Sequence, residues 1–229
     1  MPMILYEEPI AWVIMGISLI IALAAQAGIK NAYAKYSKVR VSSNLTGAQV
    51  ARMMVQNTDV SVVEYNGGKL SDHFDPRKKM IALSPEVFNG NTIAALGIAA
   101  HEAGHALQHN QGYVPIKIRN GLILPVARIG STLSMPLVMI GIFAAIPFLI
   151  DLGIIFFTAA LLFQLITLPV EFNASRRAVN ILDRNSYLTK SELKGAKKIL
   201  NAAAMTYVAA VITALLQLLR LILIARRRR

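Results

Sequence analysis

The sequence predicts a mainly α integral membrane protein: about four transmembrane or membrane-associated helices carrying a small α+β water-facing domain. Three observations predict it. Apolar residues make up 55% of the chain and gather in long runs instead of the short periods of a soluble core. At about 1.5 Å per helical residue, those runs match a hydrocarbon layer of about 30 Å. Lys and Arg outnumber Asp and Glu by 24 to 12, and most of them lie beside the runs, which is how basic residues set membrane orientation.

Residues 10–29, "IAWVIMGISLIIALAAQAGI", carry no charge and form the first expected transmembrane helix. "AQA" at 25–27 has the form of a signal cleavage site. However, Glu7 and Glu8 stand where a signal peptide carries positive charge, so the segment reads as a retained anchor. Residues 30–120 are polar enough to face water. Residues 121–170 contain one acidic residue, Asp151, between Arg128 and Glu171, and as one helix the apolar part would be roughly 60 Å long. They are therefore expected to form a transmembrane hairpin, 129–150 and 152–170, turning near Asp151. A helix over 171–198 faces water, and 199–225 forms a fourth helix, transmembrane or interfacial.

The net charge of +12 raises nucleic acid as a partner, but the positions of the charges favour a lipid bilayer. Lys30, Lys35, Lys38 and Arg40 follow the first run; Lys117, Arg119 and Arg128 precede the second; Arg176, Arg177 and Arg184 follow the third; Lys194, Lys197 and Lys198 precede the fourth. With a hairpin in the middle, all four groups fall on one face, expected to be cytoplasmic. The absence of cysteine excludes disulfides and thiolate metal sites.

Within 30–120, Thr46 and Gln49 have capping-box spacing in "NLTGAQVARMMVQN", which predicts a short helix. "VSVVEY", "NGG" and "KKMIALS" predict a small sheet or hairpin around a glycine turn. From an N-cap at Asn91, a helix is expected to run through "AAHEAGHALQHN" to a stop at Gly112.

That helix holds three of the four histidines. His101 and His105 sit one turn apart on one face, where two imidazoles can share an ion at about 2.0–2.1 Å. Glu102 lies beside such an ion, placed to take a proton from a water held there and pass it to a leaving amine. A site of this kind keeps three protein ligands and one open position. His109 is roughly 12 Å from His101 along a straight helix, too far to share the ion. Its context, with Gln108 and Gln111 at the key places, also breaks the longer histidine pattern HExxHxxGxxH. His73 sits in "SDHFDPRKK", whose Asp and Pro favour a turn. A carboxylate is the better third ligand, and Glu171 ranks first because it stands where the third run ends and an even number of crossings returns it to the histidine side. Asp183 and Glu192 follow.

The stretches "TGAQVARMM", "DHFDPRKKMIALSPEVFNGNTIAALGIAAHEAGHALQ" and "LPVEFNASRRA" resemble the YugP-like membrane zinc metallopeptidases of prokaryotes, related to the HtpX and CAAX-prenyl endopeptidases. The resemblance covers most of the chain. It implies a zincin-like domain and one Zn2+ per chain, held by His101, His105 and Glu171, with Glu102 as general base. It also implies a multi-pass protein of the plasma membrane cleaving peptide or membrane-protein substrates, with a role in protein quality control. Related enzymes place an Asp four residues after the ligand Glu, to hold a ligand histidine; Ser175 stands there, with His109 and His73 as further candidates for such support. "MIALS" is implied to be an edge strand that pairs with extended substrate.

Two other classes fit parts of the pattern. A non-catalytic membrane protein could bind metal or a partner through the same fold, but has no use for Glu102 beside the ligands. A transporter needs intramembrane polar groups, and the middle runs offer little beyond Gln164, Ser131 and Ser134. Composition leaves oligomeric state open.

Overall fold

The computed structural model describes residues 9–68 and 71–227; side chains are described outside 122–128 and 227. Glu7 and Glu8 of the anchor reading, Lys69, and the terminal residues 228 and 229 lie outside the described residues. The chain divides into two compact units, one comprising 1–26, 118–168 and 206–229, the other 27–117 and 169–205.

Helix α1 (Pro9–Tyr36) begins in the first unit and ends in the second, and is followed there by α2 (Gly47–Val55), where Thr46 accepts from the Gln49 amide and Gln49 reaches back to the Thr46 amide. This reciprocal cap satisfies two donors that the first turn would otherwise leave bare. Strands β1 (Ser61–Glu64), β2 (His73–Asp75) and β3 (Met80–Leu83) form one sheet in the order β1-β3-β2. β1 runs parallel to β3 and β2 antiparallel to it. The expected small sheet forms, but not as a hairpin around "NGG". The tight connection is Pro76–Lys79, where Asp75 accepts from the Arg77 and Lys78 amides and Lys79 adopts a φ of 48°. The expectation that "MIALS" is an edge strand is corrected as well: β3 is central and paired on both sides, and the edges are β1 and β2.

After a short turn of helix, α3 (Pro85–Phe88), α4 runs Ile93–Asn110. Its N-cap is Thr92, not Asn91, because the Thr92 hydroxyl accepts from the Ala95 amide while the Asn91 side chain donates to Asn44. Gly112, at φ 67°, ends the helix in the left-handed region. Leu96, Ala99, Ala100 and Ala103 are fully buried with Val50, Ala51, Ile81 and Leu83 around them. Each large aliphatic side chain so buried contributes about 1.5–3 kcal/mol. The result is a histidine helix with little freedom to shift.

The rest of the described chain is helical. α5 (Val114–Ile118) and one wider turn (Arg119–Ile123) precede α6 (Leu124–Phe143), α7 (Pro147–Arg184) and α8 (Lys190–Arg227). The reversal between α6 and α7 falls at 144–146, not near Asp151. Pro147 suits the first position of a new helix, Ala145 takes a φ of 56°, and Asp151 lies inside α7. A Cβ on Gly130 would come within 2.6 Å of the Phe156 carbonyl, and one on Gly153 within 2.8 Å of that of Ser134, so small residues let α6 and α7 pack backbone to backbone. Among the described residues, three helices are long and apolar enough to cross a membrane: Pro9–Tyr36, Pro147–Arg184 and Lys190–Arg226; a shorter apolar helix covers Ile129–Phe143. Trp12, Ile20, Phe148 and Ile155 are exposed on them, as lipid-facing side chains are. α7 continues unbroken through Glu171 to Arg184.

Candidate active site

α4 and the later part of α7 meet within the second unit, and the contact is made possible by glycine. A Cβ on Gly104 would come within 2.7 Å of the Ala174 carbonyl, so only a hydrogen there lets the two backbones approach this closely. The approach carries Glu171 to the histidine face. Glu171 Oε2 lies 3.2 Å from His101 Nε2 and 3.5 Å from His105 Nε2. His105 and Glu171 are buried and His101 half-buried.

Three donor atoms, two imidazole nitrogens and a carboxylate oxygen, thus converge within 4.8 Å of one another. A tetrahedral ion bonded at about 2.0–2.1 Å holds its ligands roughly 3.3 Å apart, close to the spacing found. Electrostatics lead to the same reading. His105 Nδ1 is 3.0 Å from Gln108 Oε1, an oxygen that only accepts, so the neutral ring carries its proton on Nδ1 and aims a lone pair from Nε2 at the carboxylate. Two facing acceptors in a buried place call for a cation between them. His101 Nδ1 is likewise occupied, 3.1 Å from Ser175 Oγ. The residues fit a zinc ion with a fourth position open.

A family described as putative neutral zinc metallopeptidase matches residues 11–226. The chain belongs to that family. It is 44% identical over 203 residues to the protein named putative membrane protease YugP of Bacillus subtilis (strain 168), an alignment covering 87% of this chain and 89% of that one. No solved structure matches the chain. Family and relative together support a protease role for a membrane protein of this kind.

Glu102 stands next to the converging donors without joining them. Burial pushes its carboxyl up to about 7; the charges of Glu171 and Asp72 push the same way, while His101 and the Phe74 backbone amide oppose the rise. Phe74 belongs to β2, so an edge strand of the sheet faces this carboxyl.

The other sequence candidates lie elsewhere. His109 is exposed, its ring centroid 5.7 Å from that of Phe74. His73 is exposed on β2, bonded through Nδ1 to the Ser71 carbonyl and set edge-on to Tyr65. Asp183 is exposed on α7. Glu192 accepts from Ser42 and from the Thr189 amide, completing the capping box in which Thr189 caps α8. Ser175 is the one candidate support found against a histidine of the group. Sequence reasoning missed Gln108, whose one trace there is a polar residue three places after His105 in a stretch rich in Ala and Gly.

Proposed function

We propose that the chain is a membrane-embedded zinc endopeptidase, one Zn2+ per chain, that cleaves membrane or membrane-proximal proteins in the service of protein quality control. The observation that carries the proposal is the convergence of His101, His105 and Glu171 with Glu102 beside them. The ion, when bound, polarises the scissile carbonyl and makes water a better nucleophile near neutral pH. Glu102, its carboxyl held above the usual carboxylate range by burial, takes the proton of the attacking water and returns it to the leaving amine. Ser175 holds the His101 ring from behind. An extended peptide would lie along the outer edge of β2, beside Glu102.

Substrate class follows from where the ligands lie in the chain. Glu171 comes directly after the apolar run of α7, and only residues 111–123 separate the histidine helix from α6. A chain already anchored in the same bilayer is held at high effective concentration, which a freely diffusing protein lacks. In reconstituted vesicles, an unfolded test sequence fused to one membrane span is expected to be cleaved at least about tenfold faster than the same sequence free in solution. Equal rates at equal bulk concentration would remove the substrate assignment.

The catalytic face is proposed to be cytoplasmic, in the plasma membrane of a prokaryote, because the Lys and Arg groups flank the spans on that side. The chain has no cysteine of its own, so single cysteines report cleanly. A membrane-impermeant reagent applied to intact cells is expected to label Ala144→Cys, in the α6–α7 turn, and to spare Lys194→Cys. The reverse pattern would invert the topology.

A further inference from the structure

We infer that Gln108 is a positioning residue, fixing the tautomer and the orientation of His105 for the ion. The inference rests on the reading of His101, His105 and Glu171 as a metal centre, and it adds a residue that the ligand set does not contain.

Gln108 is fully buried, so each polar atom of its amide needs a partner. Those partners are supplied in a way that leaves one arrangement. Gln108 Nε2 donates to the Val170 carbonyl at 2.8 Å and to Asn173 Oδ1 at 3.0 Å. The Asn173 oxygen is itself fixed, because Arg177 Nε, which can only donate, reaches it at 2.7 Å. Arg177 also donates through a terminal guanidinium nitrogen to Gln111 Oε1, which ties it to the end of α4. With two acceptors claiming the amide nitrogen, the Gln108 oxygen is turned toward His105 Nδ1, 3.0 Å away. An amide oxygen accepts and never donates, so His105 must offer Nδ1–H, and its Nε2 lone pair is presented to Glu171. A flipped amide would set NH2 against Nδ1–H and its oxygen against two acceptors, losing three hydrogen bonds in a buried place. The chain Arg177, Asn173, Gln108, His105 thus passes orientation from an exposed-side cation to a ligand nitrogen, and α4 and α7 both contribute to it.

Ligand histidines whose outer nitrogen loses its partner bind metal about 10–100-fold more weakly. Two substitutions separate this role from a structural one. Gln108→Met keeps the volume and removes both the donors and the acceptor. Gln108→Glu also removes the donors to Val170 and Asn173, but keeps an oxygen for His105 Nδ1–H. Zinc dissociation constants would be measured by chelator competition on the purified full-length protein in detergent. Gln108→Met is expected to bind about 10–100-fold more weakly than wild type, with Gln108→Glu within a few fold of wild type. Wild-type affinity in Gln108→Met, or equal weakening in both variants, would overturn the inference. Should Gln108→Met not fold, the zinc-loaded wild type decides: a His105 Nδ1–H proton resonance in slow exchange with water is expected, and a rapidly exchanging one contradicts the assignment. Failure of the wild type to bind zinc at all, by contrast, would strike the metal centre itself and not the role of Gln108.

Discussion

Replacing Glu102 by glutamine is expected to lower peptide cleavage by about 10²–10⁴-fold while bound zinc stays at the wild-type level. Glutamine keeps the size and one acceptor oxygen of the side chain, so the packing around α4 is undisturbed. It cannot take a proton, and that is the function assigned to a carboxyl that burial has already brought to about 7. The donor atoms of His101, His105 and Glu171 converge without it. Cleavage by Glu102→Gln at the wild-type rate would remove the residue from the mechanism, and loss of zinc would mean that it ligates.

The second large effect separates ligand from bystander. Glu171→Ala is expected to lose zinc by more than the about 10–100-fold seen when an outer hydrogen-bond partner is removed, because a ligand atom goes with it. His109→Ala is expected to keep the wild-type zinc content, since that ring is exposed and packs beside Phe74. Zinc also stabilises the fold to which it binds, so thermal unfolding with and without the ion should show a gap in wild type and His109→Ala that closes in Glu171→Ala. An empty site in His109→Ala beside a full one in Glu171→Ala would exchange their roles.

What the sequence revealed, and what it hid, divides along physical lines. Local devices were legible. The Thr46 and Gln49 cap is made by residues three apart, the left-handed stop at Gly112 needs only its own missing side chain, and the one-turn spacing of His101 and His105 needs only the helix. Glu171 was legible because a carboxylate at the end of an apolar run is costly and asks for a reason. The sheet order was not. β1 pairs in parallel with β3, passing over β2 in the sequence, and no turn residue announces it. The α6–α7 reversal was misplaced because an acidic residue is a weaker signal than Pro147 at a helix start, and Ala145 in a left-handed conformation leaves no trace in composition. The hold on His105 was hidden for a similar reason: Gln108 is adjacent to it on the helix, but the groups that turn the amide, Val170 and Asn173, are more than 60 residues away.

Whether His101, His105 and Glu171 hold a zinc ion on which peptide cleavage depends is decided by titrating zinc back into the chelated protein while following cleavage of an unfolded, membrane-anchored substrate. Activity is expected to vanish on chelation and to return in proportion to zinc, reaching its plateau at one ion per chain. Cleavage that survives complete removal of the metal, or a zinc-loaded protein that cleaves no faster than its Glu102→Gln variant, would contradict that dependence.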